Sequence, residues 1–226
     1  FTSGTNSFNT AVGYNAGLSN TTGIENVAIG AKALDANTTG QEITAIGVDA
    51  AGALNITNSG SPEVVCVGFE AGKSITSGGA FTLIGHKAGK SLTDGVGVTI
   101  VGSGSGPDLT GSDNTFVGTQ SGFTETNGSD HTLIGHDAGR VMNGATKNTA
   151  VGSHCGDACT TGSNNLFLGV DAGTSAAPSG AIVTGSNNVC LGDDNISALF
   201  CADTSISSSD SRDKADITDF NIGLNW

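Results

Sequence analysis

The sequence predicts an all-β chain wound as a parallel β-solenoid. Three observations carry that expectation. First, a five-residue box ending in glycine recurs at Gly13 (NTAVG), Gly30 (NVAIG), Gly47 (ITAIG), Gly68 (VVCVG), Gly85 (FTLIG), Gly102 (VTIVG), Gly118 (NTFVG), Gly135 (HTLIG), Gly152 (NTAVG), Gly169 (NLFLG) and Gly192 (NVCLG). The glycine-to-glycine spacings run 17, 17, 21, 17, 17, 16, 17, 17, 17 and 23 along the chain, and such a period marks one structural unit per coil. Second, Gly, Ser, Thr and Asn fill the intervals, as expected where a tight turn recurs every few residues. Third, aromatic residues make up only 5% of the chain, too few for a thick globular core, and no stretch sustains the 3.6-residue period of a helix.

Within the box, the residue before the glycine is branched aliphatic (Val12, Ile29, Ile46 and their successors to Leu191). The residue three before it is Thr or a branched apolar one (Thr10, Val27, Thr44 through Val189). These two share one side of a strand, because side chains alternate. The residue between them faces the other side and ranges from Ala11, Ala28 and Ala45 to Leu83, Ile100, Phe116 and Phe167. A strand apolar on both sides is buried on both. One side is expected to line the solenoid interior. The other, taken to be the alanine-to-phenylalanine face, needs a cover that no helix supplies. Copies of the same chain are the simplest cover, and a closed three-fold bundle hides three such faces along one axis.

After each box comes a small residue followed by glycine: NAG at 15–17, EAG at 70–72, KAG at 87–89, DAG at 137–139 and 171–173, HCG at 154–156. The second repeat departs with Leu34, and the third inserts an alanine (Asp49-Ala50-Ala51-Gly52). Positive φ or close approach of stacked coils accounts for this glycine. Polar turns follow, such as Thr21-Thr22-Gly23 and Thr126-Asn127-Gly128. One coil is thus expected to hold two or three short strands. Eleven coils at about 4.8 Å each give a rod of roughly 50 Å. Like positions stack in register, so Asn9, Asn26, Asn114, Asn148, Asn165 and Asn188 are expected to form a hydrogen-bonded ladder.

The boxes also resemble the repeats in the heads of trimeric autotransporter adhesins, where similar SVAIG boxes build a left-handed parallel β-roll. The adhesin repeat is shorter than the one here, so this resemblance implies an architecture and no ligand.

Past Gly192 the period breaks. Ser209-Asp210-Ser211-Arg212-Asp213-Lys214-Ala215-Asp216-Ile217, followed by Gly223-Leu224, closely resembles the start of the intramolecular chaperone domain of phage endosialidases, tail spikes and tail fibres. In that family the domain trimerises, guides folding of the fibre before it, and cuts itself off with a Ser–Lys dyad. Carried over by position, Ser209 is the nucleophile and Lys214 the base that takes its proton. The domain reading is therefore a repeat shaft over 1–192, a connecting segment over 193–208 and the beginning of a chaperone over 209–226. The chain reads as a piece of a longer fibre.

Charge narrows the partners. Twenty-one acidic against eight basic residues give a net charge of −13, which repels nucleic acid and anionic membranes. No run of 18 apolar residues exists. Cys66 and Cys190 share a box position with Ala and Leu and read as small buried hydrophobes. Cys155 and Cys159 leave open a local disulfide, half a metal site, or pairing across an oligomer, and Cys201 makes the count odd. No second CxxC supports zinc, so no metal and no cofactor is expected. His86 and His136, each just after a box glycine, read as exposed corner residues, with metal or carbohydrate contact as the alternative. Gly111-Ser112-Asp113-Asn114 lacks a calcium-loop spacing, and Gly102-Ser103-Gly104-Ser105-Gly106 lacks the lysine of a phosphate loop. No carboxylate pair repeats at a glycosidase-like spacing.

The function expected is a structural and adhesive fibre: the distal shaft of a phage tail fibre or spike, on the virion and extracellular. It would be homotrimeric, in contact with other tail proteins and with a host glycan or outer-membrane receptor. Rivals are a bacterial surface adhesin or secreted filament, a polysaccharide-degrading spike with its enzyme site elsewhere, and an ice-binding solenoid.

Overall fold

The computed structural model of the chain describes residues 8–56 and 63–199. Eleven strands follow in chain order: β1 (Thr10–Val12), β2 (Val27–Ile29), β3 (Thr44–Ile46), β4 (Val64–Val67), β5 (Gly79–Ile84), β6 (Val96–Val101), β7 (Thr115–Val117), β8 (Thr132–Ile134), β9 (Thr149–Val151), β10 (Leu166–Leu168) and β11 (Val189–Leu191). They form one sheet in the order β1 to β11, every neighbouring pair parallel. All eleven lie in one compact unit ending at Asp193, and no helix occurs among the described residues. Each strand returns to the start of the next through turns, so the fold is a parallel β-solenoid.

Register is strict. Ala11 pairs with Ala28, Ala28 with Ala45, Ala45 with Cys66, and so on to Phe167 with Cys190. Box position therefore becomes spatial column. The glycine column explains itself: from Gly13 to Gly169 these residues hold φ between +107° and +148°. A Cβ on Gly13 would stand 2.7 Å from the carbonyl of Gly30, and one on Gly152 would stand 2.5 Å from that of Gly169. Both the conformation and the approach of the next coil require glycine here. The glycine N–H groups bond backwards, Gly47 to Ile29 O at 2.7 Å and Gly118 to Val101 O at 2.8 Å.

The two strand faces are assigned opposite to the expectation. The alanine-to-phenylalanine column points inward: Ala45, Cys66, Leu83, Ile100, Phe116, Leu133, Ala150 and Phe167 are fully buried. The Thr and aliphatic columns point outward. The interior accepts such different sizes because a second column compensates. Four residues after each box glycine from Gly13 to Gly169, the backbone is again left-handed, and glycine stands there wherever the inward residue or its neighbour is large. A Cβ on Gly122 would lie 2.5 Å from Phe116, and one on Gly106 2.8 Å from it. Opposite the small Ala28 and Ala45, that position carries Leu34 (φ +53°) and Ala51 (φ +47°), both buried. The two departures from the repeat are thus volume compensation, tolerated at some cost in backbone strain.

One strand per coil is found in the described residues, not two or three. The corner residues two after each box glycine from Gly13 to Gly169 (Asn15, Lys32, Asp49, Glu70 onward) also hold φ near +55°, which interrupts extended chain. Coil-to-coil hydrogen bonding nevertheless continues through the returns, as from Gly72 N to Ala88 O (3.0 Å) and Thr76 N to Thr93 O (2.8 Å).

Replacing Gly118 by Ala is expected to lower stability by about 3 kcal/mol or more, since strain and backbone collision combine. Gly180, at φ +69° with open space around it, is expected to lose only about 1 kcal/mol as Ala. Phe116→Ala should cost about 3–5 kcal/mol. Urea denaturation of the three variants checks the ranking.

Candidate functional site

Three regions of the solenoid carry chemistry: the outward sheet face, a polar seam inside one corner, and a His–Asp cluster on the neighbouring corner.

The outward face is built from the Thr and aliphatic columns. Thr82, Thr99, Thr115, Thr132 and Thr149 stack one above another, flanked by Ile84, Val101, Val117, Ile134 and Val151. Most are half-buried by their own neighbours in the stack, but Leu168 is 47% exposed and Ile134 37%. Just past the glycines, Tyr14, Val48, Phe69 and Val170 are exposed as well. Such a row of apolar side chains exceeds the scattered exposure of an ordinary surface.

Inside, the asparagine column forms a ladder of side chain to backbone. Asn26 accepts from Ile43 N–H (3.0 Å) and donates to Gly40 O (2.9 Å). Asn148 accepts from Asn165 N–H (2.9 Å) and donates to Gly162 O (2.7 Å). Only Asn188 and Asn165 of this column bond side chain to side chain (3.0 Å) among the described residues. Ile43, Val64, Phe81 and Val98 replace Asn in the middle coils, where the facing column is Leu54, Ile75 and Leu92. The apolar stretch of one column thus faces the apolar stretch of the other.

His131 takes the asparagine place between Asn114 and Asn148, facing Glu125, and both side chains are fully buried. Asn148 N–H donates to His131 Nδ1 (3.2 Å), so the ring proton belongs on Nε2, 3.0 Å from Ala145 O and 3.5 Å from Glu125 Oε2. Glu125 Oε1 accepts from Gly128 N–H (2.7 Å) and Gly144 N–H (2.9 Å). Burial favours the neutral acid, but the His131 ring and those two amides outweigh it and hold the Glu125 carboxyl below its usual range. Asn20 and Asn37, in the same column as Glu125, accept the equivalent capping bond from Gly23 and Gly40. The pair is a structural cap with no opening to solvent.

The candidates read from the sequence fall into place around this frame. Cys66, Cys155, Cys159 and Cys190 are buried and free. Burial pushes the Cys66 and Cys155 thiols up to about 12. Cys155 donates to Gly152 O (2.9 Å) and Cys159 to Gly162 O (3.5 Å), and the two form no disulfide with each other. Gly102 to Gly106 is stacking glycine, with Ser105 buried against the Ser121 hydroxyl (2.7 Å). Ser112 ties coils together, its N–H to the Ser129 hydroxyl (3.2 Å). His86 stacks on Phe69, ring centres 5.4 Å apart and 11° from parallel. Ser209 and Lys214 lie outside the described residues.

His136 is exposed, as the sequence indicates, but it has company that sequence reading missed. His154 stands edge-on to it at 5.1 Å, and Asp137 lies between them. Asp137 and His154 are one repeat apart, each at the second position after a box glycine, so the period itself stacks them. No family model, curated protein or solved structure matches this chain.

Because Glu125 titrates lower folded than the roughly 4.3 of a free Glu, its contribution is complete above that pH and lost as pH falls through the lower folded value. Glu125→Gln is expected to cost about 1–3 kcal/mol at pH 7 and to show a flatter loss of stability below about pH 4 than wild type. Denaturation midpoints at pH 7 and pH 3.5 check both.

Proposed function

We propose that the chain is the shaft of an extracellular attachment fibre: the distal part of a phage tail fibre or spike, a left-handed solenoid assembled as a homotrimer. Copies of the chain cover one another's outward face. The observation that carries this reading is the outward Thr and aliphatic ladder, which runs along the sheet and has no cover within the described residues. A face of this kind, repeated at each coil, fits an interface that runs along a fibre axis, where each added coil adds the same apolar contact. The expected trimer face is therefore the one bearing Val117, Ile134 and Val151, not the alanine-to-phenylalanine column, which the interior already uses.

The remaining parts of the reading rest on resemblance. The Ser209–Ile217 segment is proposed as the start of a self-cleaving folding chaperone, with Ser209 as nucleophile and Lys214 as base. The ligand would be a host glycan or outer-membrane receptor met by the turns, and the location the virion tail. Adhesion at a bacterial surface, or a shaft carrying a polysaccharide-degrading site elsewhere, uses the same interface and differs in what is attached to it.

A second reading has its own observation. The outward Thr column, in register on coil after coil, presents regularly spaced hydroxyls and methyls on a flat sheet, which suits ice if the face stays free.

Sedimentation of the wild type and of Ile134→Lys separates these. The fibre predicts a trimer that the lysine dissociates or weakens by more than about tenfold, because a charge would be buried without a partner. A monodisperse monomer that inhibits ice recrystallisation would instead support the second reading. Ser209→Ala, in a chain carrying a chaperone body after Trp226, is expected to remain full length while the wild type is cut near Ser209. Intact mass reads this out.

A further inference from the structure

We propose that His136, Asp137 and His154, with Asp157 beside His154, form a binding site for a divalent transition-metal ion of the zinc class. The inference is independent of whether the chain is a fibre.

The solenoid brings the four together. Asp137 and His154 occupy the same corner column on successive coils, both with φ +55°, which aims their side chains along one line. His136 precedes Asp137 by one residue, and Asp157 follows His154 by three. Asp137 Oδ2 lies 3.6 Å from His136 Nδ1 and 3.7 Å from His154 Nδ1, and His154 Nδ1 lies 3.8 Å from Asp157 Oδ2. These gaps are too long for hydrogen bonds. They are close to the edge of a coordination tetrahedron, about 3.4 Å for metal–ligand bonds near 2.0–2.1 Å. One ligand atom from each of His136, Asp137 and His154 falls within 4.8 Å of the others.

The carboxylates point the same way. Asp137 is only 9% exposed, yet its Oδ1 has no hydrogen-bond partner, and neither has the buried Oδ1 of Asp157. Arg140 Nε forms an ion pair with Asp137 Oδ1 at 3.6 Å, too long for a hydrogen bond. The contrast is Glu70, in the same column, whose two oxygens are met by Lys73 at 2.8 Å and Lys90 at 3.2 Å. At Asp137 the place of Lys73 is taken by Arg140, whose ion pair is longer and makes no hydrogen bond, and two imidazoles flank the carboxylate as well. The two histidines are partly exposed, at 53% and 43% of their side chains, so an ion has a path in and water has room to complete the coordination. Two imidazoles with carboxylates select zinc, cobalt, nickel or copper over calcium and magnesium, which prefer oxygen alone.

The test is titration of the chelator-treated chain with Zn²⁺ by calorimetry, and with Co²⁺ by visible absorption. One ion per chain is expected, with the d–d bands of nitrogen-ligated cobalt, and with affinity falling in acid because protons compete for the ligand atoms. His136→Ala and His154→Ala should each weaken binding by more than about tenfold, while His86→Ala leaves it unchanged. Absence of binding, or binding that survives both substitutions, overturns the assignment. So does equal loss in His86→Ala. Should His154→Ala fail to fold, His136→Ala, at the more exposed position, decides.

Discussion

The whole structure depends on how closely two coils approach at the box glycine. There the backbone of one coil runs against the carbonyl of the next, at a distance that leaves no space for a Cβ. That contact sets the register of the parallel ladder, and the ladder turns each sequence position into a column. Everything that follows is a property of columns. A residue type that suits its column is repeated at no conformational cost, and one that does not must be matched by a change nearby. The stability of such a fold is a sum of near-neighbour terms, coil on coil.

The interior shows how that matching works. Its cross-section is narrow, so the strand residue and the corner residue of a coil share one volume. Phe116 is accommodated by Gly106 and Gly122, and Ala28 by Leu34. In the corner seam the same pairing operates in polarity. Asn26, Asn114, Asn148 and Asn165 each spend both ends of the amide on hydrogen bonds, while Leu54, Ile75 and Leu92 face Val64, Phe81 and Val98. Glu125 and His131 are the titratable version of that seam. Glu125 Oε1 and both ring nitrogens of His131 are spent on Gly128, Gly144, Ala145 and Asn148, and with both side chains fully buried the pair closes a corner.

Much of this was legible in the sequence, for a physical reason. The glycine period and the alternation around it report register and pleat directly, so the fold, the columns, the turn glycines and the buried Cys66 and Cys190 could be read from them. Which face points inward could not. Ala, Leu and Phe at one position look like an interface when each coil is taken alone. They make a core only once Leu34, Ala51 and the corner glycines are seen to compensate. The strands per coil were overcounted because left-handed corners such as Glu70 and Lys87 carry no distinctive residue type. The Asp137–His154 pairing was within reach, since a single repeat separates them. Applying the period to polar corners as well as to apolar boxes would have placed them together. His136 and Asp157 then join through backbone geometry that no spacing rule encodes.

Amide hydrogen exchange at the box glycines tests the stacking account most directly. Their N–H groups bond to the preceding coil along the whole sheet, from Gly30 to Val12 O through Gly192 to Leu168 O. The account predicts that the interior glycines, Gly47 to Gly152, exchange among the slowest amides of the chain and as one protected block, with the ends faster. Exchange of these glycines at rates typical of open turns, or coil by coil without a common block, would contradict it.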